Sequence, residues 1–258
     1  MLNIHIITTA VNEPQLINQK KQIAEFSTYY DSAILHTVIN NYTAKEAMVK
    51  FYDLAKNCKF SDYILKLDGD MTFTDFGKFM YLIDILKSKK PNRLTVPVYD
   101  HVTNCSIYGC HFIRTSTVPN GVTITATKRD DWIAGLPGLT LTTKLKVIEH
   151  CERATEDQRY IFGYNRGHKL RHKKQNTLST LWLLLLFSND HNHQGIRGYV
   201  NGYYDDEYDF DYLRILKNKT IKPSLQNWQV SKIILKNPVI GVKALYQALL
   251  IKTNTPKV

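Results

Sequence analysis

The sequence predicts an α/β fold: a Rossmann-like, mostly parallel sheet with helices on both faces, followed by a C-terminal helical extension. Three observations predict it. Over the first 90 residues, short apolar runs alternate with segments of 3.6-residue periodicity. The apolar runs are nearly continuous, as strands covered on both faces are. Helix-start signals fall between them, namely Pro14, and Thr43 with Glu46 three residues later.

Taken in order, residues 2–8 read as a first strand and 13–26 as a helix with Pro14 in its first turn and Leu16, Ile17, Ile23, Ala24 and Phe26 near one stripe. Residues 32–39 read as a second strand, 43–56 as a helix opened by the Thr43–Glu46 capping box, 62–67 as a third strand and 74–86 as a third helix. Three strand–helix units imply a parallel sheet whose ligands sit at the carboxyl ends of its strands. Further strands are expected at 93–99, 106–114 and 122–127, with turns at Pro119-Asn120-Gly121 and Gly135-Leu136-Pro137-Gly138. Helices are expected at 142–153 and 156–166, the second stopping at Gly167. Residues 188–212 read as a folded loop or lid. Within it, the tract from Tyr203 to Tyr212 carries five aromatics and five acids; it suits binding an acceptor sugar or docking on the Lys-rich face, and a structural role is favoured. Residues 228–252 have helical spacing interrupted at Asn237-Pro238. The expected division is a catalytic domain at 1–175, with halves of about 1–90 and 91–175, and a lid and basic amphipathic extension at 176–258.

A net charge of +11 gives the surface an attraction for polyanions: phosphorylated small molecules, an anionic membrane face or nucleic acid. The four cysteines, Cys58, Cys105, Cys110 and Cys151, form no CxxC pair, which reads as structural thiols in a reducing compartment and not as a disulfide framework or a zinc site. The opening residues read as a strand with no signal peptide. The longest apolar run, from Leu181 to Phe187, is far shorter than the ~20 residues a spanning helix needs. A cytoplasmic protein is expected, at most peripheral on the inner face of a membrane.

The tripeptide Asp68-Gly69-Asp70 closes the apolar run 63–67. Strand alternation would point both carboxylates to one face, with Gly69 leaving room for a ligand. Two carboxylates at a strand mouth suit Mg²⁺ or Mn²⁺, with the remaining positions left to phosphate oxygens and water. The alternative is a surface turn, since Asp-Gly is a common hairpin signal.

Four features together resemble the nucleotide-sugar glycosyltransferases of the GT-A fold, most like the family 2 inverting enzymes. They are Ile6-Ile7-Thr8-Thr9-Ala10-Val11-Asn12-Glu13, the DxD motif Asp68-Gly69-Asp70, Tyr108-Gly109-Cys110-His111-Phe112-Ile113-Arg114, and Thr155-Glu156-Asp157-Gln158-Arg159 followed by Gly163 and Gly167-His168-Lys169. The resemblance covers roughly residues 2–172. It implies a metal-dependent inverting transfer of one sugar from an NDP-sugar, with Mn²⁺ or Mg²⁺ as cofactor. Asp70 and Asp68 would hold the metal, and Thr8, Thr9, Asn12 and Asn40 with Asp68 and Asp70 would bind the donor. Asp157, with Glu156, would be the base that deprotonates the acceptor hydroxyl. The other reading of that acidic pair is helix capping. His111 and Trp132 would line the acceptor side, with core as the equal alternative for Trp132. His191 and His193 would supply a further metal or diphosphate contact unless they are ordinary surface residues.

The second strand ends in Val38-Ile39-Asn40-Asn41, where the family commonly has an aspartate that reads uracil, and no Gln-x-x-Arg-Trp motif is present. A UDP-sugar donor and single-sugar transfer are expected, to a glycan or lipid-linked acceptor of surface polysaccharide or lipopolysaccharide synthesis. Lys232, Lys236, Lys243 and Lys252 interleave with apolar residues, as in a helix resting on anionic lipid or one packed on the domain.

Two other classes compete. A metal-dependent phosphoryl-transfer enzyme would need more carboxylates at the same strand ends, where only Asp62 and Asp75 are near in sequence. A nucleic-acid-binding module would suit the charge, but the basic residues are dispersed and no RRM, KH or zinc signature occurs, so no nucleic acid is expected.

Overall fold

The structure, a computed structural model, describes residues 2–30, 33–125, 131–172, 177–186, 193–206, 212–218, 227–236 and 238–254. It is α/β, and it divides into two compact units, Met1–Tyr99 with Ile107–Glu152, and Asp100–Ser106 with Arg153–Val258.

The first unit contains β1 (Ile4–Ala10), α1 (Gln15–Tyr29), β2 (Ile34–Asn40), α2 (Ala44–Asn57), β3 (Tyr63–Asp68), β4 (Met71–Phe73) and α3 (Phe76–Lys89). After these come β5 (Arg93–Asp100), β6 (Cys105–Arg114), α4 (Asp131–Ala134), β7 (Thr140–Thr142) and β8 (Ile148–His150). The sheet order is β2-β1-β3-β6-β5-β8-β4, with β7 paired to β5. Pairing is parallel through β2, β1 and β3, and between β5 and β7; β6 meets β3, and β4 meets β8, antiparallel.

Alternation along the strands feeds two cores. Ile4, Ile6, Leu65, Leu67 and Phe112 turn toward α1 and α3, where they meet Ile23, Phe26, Phe79 and Leu82. The phenylalanines interlock there, with the Phe26 ring 5.0 Å from those of both Phe73 and Phe79. Ile7, Ile64 and Ile113 face the other way, onto Met48, Phe51 and Tyr52 of α2 and Trp132 and Ile133 of α4. Each such side chain contributes roughly 1.5–3 kcal/mol on burial. The capping box of α2 is present: Thr43 and Glu46 bond each other's backbone N–H groups.

Three expectations change. Residues 142–153 are not a helix. They are the end of β7, a loop and β8, because Ile148–His150 finds an antiparallel partner in β4. Residues 122–125 form no strand, and 126–130 lie outside the described residues. The helix begun at Glu156 runs through Gly167.

The second unit holds α5 (Glu156–His172), α6 (Leu178–Leu186), α7 (His193–Tyr204), α8 (Tyr212–Asn218), α9 (Asn227–Leu235) and α10 (Pro238–Asn254). Gly163 and Gly167 of α5 and Gly198 and Gly202 of α7 lie where any Cβ would overlap a backbone carbonyl of the facing helix. Gly167 is therefore a contact residue and not a helix stop, and part of the expected lid is α7. Asp205 and Asp206 of the aromatic–acidic tract pair with Arg214 at 3.0 Å and Arg171 at 2.6 Å, while residues 207–211 lie outside the described set. Helix α9 ends at Leu235 and α10 begins at Pro238, while Asn237 lies outside the described residues. On α10 the small residues Ala244 and Ala248 are buried, while Val242, Tyr246, Leu249 and Leu250 are exposed. Among the described residues, no helix is long and apolar enough to cross a membrane.

Candidate metal centre

The first three parallel strands bring their carboxyl ends to one edge of the sheet, where Asp68 ends β3 beside Thr9 of the central β1. Gly69 N–H donates to Thr9 O at 2.8 Å as the chain turns from β3 into β4. A Cβ on Gly69 would stand 2.7 Å from Ala10 Cβ and 2.8 Å from Glu13 Oε2, so glycine is required by close approach. The buried Gln19 of α1 fastens the turn from below. Its Nε2 donates to Asp68 O at 2.9 Å and Met71 O at 2.6 Å, and its Oε1 accepts from Thr8 Oγ1 at 2.7 Å. One helical turn on, Gln22 bonds both Phe73 N at 3.0 Å and Phe73 O at 2.7 Å, covering the outer edge of β4.

The two aspartates take different surroundings, because strand alternation ends at Asp68 and Gly69-Asp70 is a turn. Asp68 Oδ1 accepts from Lys66 Nζ at 2.9 Å and Thr9 Oγ1 at 3.0 Å. Burial works against its charged form, but the Lys66 charge and these two hydrogen bonds outweigh it and hold the carboxyl below the usual carboxylate range. Lys66 thus bears directly on the DxD motif.

Asp70 faces β8. Its Oδ2 lies 3.2 Å from His150 Nε2 and 3.2 Å from Cys151 Sγ, and those two atoms are 3.5 Å apart. The β4–β8 pairing sets this meeting, with Met71 opposite His150 and Cys151 N–H donating to Asp70 O at 2.9 Å. Cys151 adopts φ 57°, which swings its thiol back toward the carboxylate. Asp70 Oδ1 is buried with no hydrogen-bond partner among the described residues. A third carboxylate stands close. Burial, then the charge of Asp70, push Glu13 up to about 7, although its Oε2 accepts the Val11 N–H.

Other sequence-nominated residues fall as follows. Thr8 is fully buried and spends its hydroxyl on Gln19 and, at 3.0 Å, His36, so it supports the strand and presents nothing to a ligand. Asn12 is exposed at φ 60°, and Asn40 is exposed at the end of β2 opposite Ala10. His111 Nδ1 is 3.2 Å from Thr95 Oγ1. Trp132 is core, with its ring 5.6 Å from that of Tyr52. In the second unit, Glu156 and Asp157 are exposed in the first turn of α5, and His193 is exposed where α7 begins. His191 lies outside the described residues.

Glu13, Gln19, Lys66, His150 and Cys151 were not assigned to the site from sequence. Glu13 is the last residue of the quoted exit-loop segment. His150 and Cys151 are an adjacent pair of ligating types, but in a segment read as helix. The donor set Asp70, His150 and Cys151 offers oxygen, nitrogen and sulfur within 4.8 Å of one another. With the orphaned Asp70 Oδ1, that set fits a divalent cation.

No family model matches the chain, and no curated protein sequence matches it. Among solved structures it is similar to a mannosyltransferase from Pyrobaculum calidifontis in complex with GDP-Man and Mn²⁺, at 9% identity over 95% of this chain and 86% of that one, TM-score 0.39. It is similar to the catalytic domain of Drosophila β1,4-galactosyltransferase 7 in complex with xylobiose, at 13% identity over 59% of this chain and 71% of that one, TM-score 0.38. It is also similar to a cytidylyltransferase from Leptospira borgpetersenii, at 10% identity over 93% and 97%, TM-score 0.34. Likeness at this level leaves function to the residues of the site.

Proposed function

We propose that the protein is a metal-dependent glycosyltransferase that moves one sugar from a nucleoside diphosphate sugar to a glycan acceptor, with inversion. The observation that carries the reading is Asp70: a partly buried carboxylate at the carboxyl end of the parallel strands, with one oxygen between His150 and Cys151 and the other without a partner among the described residues. When bound, a divalent cation supplies Lewis-acid stabilisation of the diphosphate leaving group.

This chain's own residues do the rest. Asp70 and His150 would hold the cation. Asp68, kept ionised by Lys66 and Thr9, would accept hydrogen bonds from the donor. Gly69 lets the turn lie close against Ala10 and Glu13, which sets the two aspartates at the strand ends. Asn12 and Asn40, both exposed, are the proposed contacts to the nucleoside. Asp157 is proposed as the base, supported by its exposure and by the motif it sits in. An acceptor in surface polysaccharide or lipopolysaccharide synthesis, lipid-linked, suits the basic surface and the exposed apolar side chains of α10.

A panel of NDP-sugars with Mn²⁺ or EDTA, scored for NDP release and thermal shift, tests the reading. One donor should respond with Mn²⁺ and not with EDTA, and Asp70→Ala should abolish the response. No response to any donor, with Asp70→Ala indistinguishable, would reject it. A second reading is favoured by Glu13, which brings a third carboxylate to the DxD turn, as nucleotidyl transfer from an NTP to a sugar phosphate would require. Pyrophosphate release from an NTP, in place of NDP release from an NDP-sugar, would select it.

A further inference from the structure

The three ligating atoms at Asp70 form a triangle with sides of 3.2, 3.2 and 3.5 Å, the longest being the nitrogen–sulfur edge. A tetrahedral cation with bonds of about 2.0–2.3 Å to oxygen, nitrogen and sulfur places such ligands roughly 3.3–3.6 Å apart, with the sulfur edges longest. The observed triangle is one face of that tetrahedron, to within a few tenths of an ångström. The backbone fixes it. Asp70 and Cys151 are joined by a 2.9 Å hydrogen bond, and His150 sits in register with Met71. All three side chains are largely removed from solvent, with His150 at 11% and Asp70 at 18% exposed.

We propose that Cys151 is a sulfur ligand of the cation held by Asp70 and His150, so that the site takes a thiophilic divalent cation of the Zn²⁺ or Co²⁺ class, with Mn²⁺ weaker and Mg²⁺ weakest. The inference rests on the reading of Asp70 as a cation ligand and adds to it the identity of the metal. A thiolate is a soft donor that disfavours Mg²⁺, which demands oxygen in octahedral array. Binding forms a metal–sulfur bond and sends the thiol proton to bulk solvent. Three protein ligands leave a fourth position for water or a donor oxygen, the arrangement of an open, reactive site.

The test is titration of the metal-free full chain with Co²⁺ and Zn²⁺, with no donor present. Wild type should bind one equivalent of Co²⁺ and develop a sulfur-to-cobalt charge-transfer band in the near ultraviolet. Cys151→Ser should lose the band and weaken Zn²⁺ binding by at least tenfold while Mg²⁺ affinity stays unchanged. Cys151→Asp, whose side chain tolerates the left-handed backbone of this position, should raise Mg²⁺ affinity relative to Zn²⁺ and provides a variant that keeps a full ligand set. If Asp70→Ala loses cation binding but Cys151→Ser retains the band and the Zn²⁺ affinity, Cys151 is only a hydrogen-bond donor to Asp70, and this inference falls while the reading of Asp70 stands. If Asp70→Ala leaves binding and band unchanged, the cation lies elsewhere and both fall.

Discussion

Thr155 and Gln158 cap α5 reciprocally: Thr155 N–H donates to Gln158 Oε1 at 2.9 Å, and Gln158 N–H donates to Thr155 Oγ1 at 3.2 Å. The capping job that acidic residues at a helix start can do is thus taken by their neighbours. Asp157→Asn should therefore lower kcat by at least 100-fold, the scale of a lost general base, while costing no more than the ~0.3–1 kcal/mol of a charge at a helix start. Thr155→Ala should do the reverse, destabilising by ~1 kcal/mol with kcat retained. Equal loss of stability in the two variants would return Asp157 to a structural role.

Glu13 gives the fold a pH signature. Its folded value of about 7 lies above the ordinary value near 4.5, because burial, then Asp70, disfavours its charge. Between those values the folded chain keeps a proton that the unfolded chain has lost. Stability from this group is therefore full below pH ~4.5 and declines as pH rises toward ~7, with a slope of at most ~1.4 kcal/mol per unit. Urea midpoints in EDTA at a series of pH values should show the decline, and Glu13→Gln should flatten it. A cation at Asp70 should shrink it by offsetting the neighbouring charge.

Gly167→Ala and Gly198→Ala drive a methyl group into the facing backbone, which cannot yield as a side chain can. Each should destabilise the second unit by about 3 kcal/mol or more, at or beyond the upper end of ordinary overpacking. Gly195→Ala meets mainly Leu184 Cδ2 at 3.2 Å and should be milder. Chemical denaturation of the three variants checks the order.

Helix α10 turns its alanines inward and its larger apolar residues outward, with Val242 at 71% and Tyr246 at 64% exposed beside Lys243. Anionic lipid would satisfy both the apolar stripe and the lysines. Co-sedimentation with vesicles containing phosphatidylserine should exceed that with phosphatidylcholine alone, fall with salt, and drop several-fold in a Val242→Ser, Tyr246→Ser, Leu249→Ser variant. Salt-insensitive self-association abolished by the same changes would instead make the stripe a contact between copies.

Much of the first unit is legible in sequence because its strands are bound by local hydrophobic pattern: the three parallel strands and the helices after them fall within a few residues of their expected bounds. The DxD turn is legible for the same reason. What escapes is whatever depends on distant pairing. Val147 and Ile148 fit a helix or a strand equally until β4 provides a partner, so the segment carrying His150 and Cys151 is misread and two of the three donors go with it. Gly163 and Gly167 fit a helix end or a close helix pair, and only α7 decides between them. The lysine of the β3 strand, Lys66, shares a face with Asp68 by simple alternation, a signal present in the sequence but too weak alone to assign.

Asp70 and Cys151 are 81 residues apart, and they meet only when the short strand β4 finds β8. Non-local pairings of this kind form late, since the intervening chain must first give up its freedom. During synthesis, the two aspartates emerge long before the histidine and thiol that join them. A chain that has not yet paired β4 with β8 presents the aspartates alone, and the three candidate donors come together only with that pairing. On the cation reading proposed above, the choice of metal waits for the strand pairing that makes it.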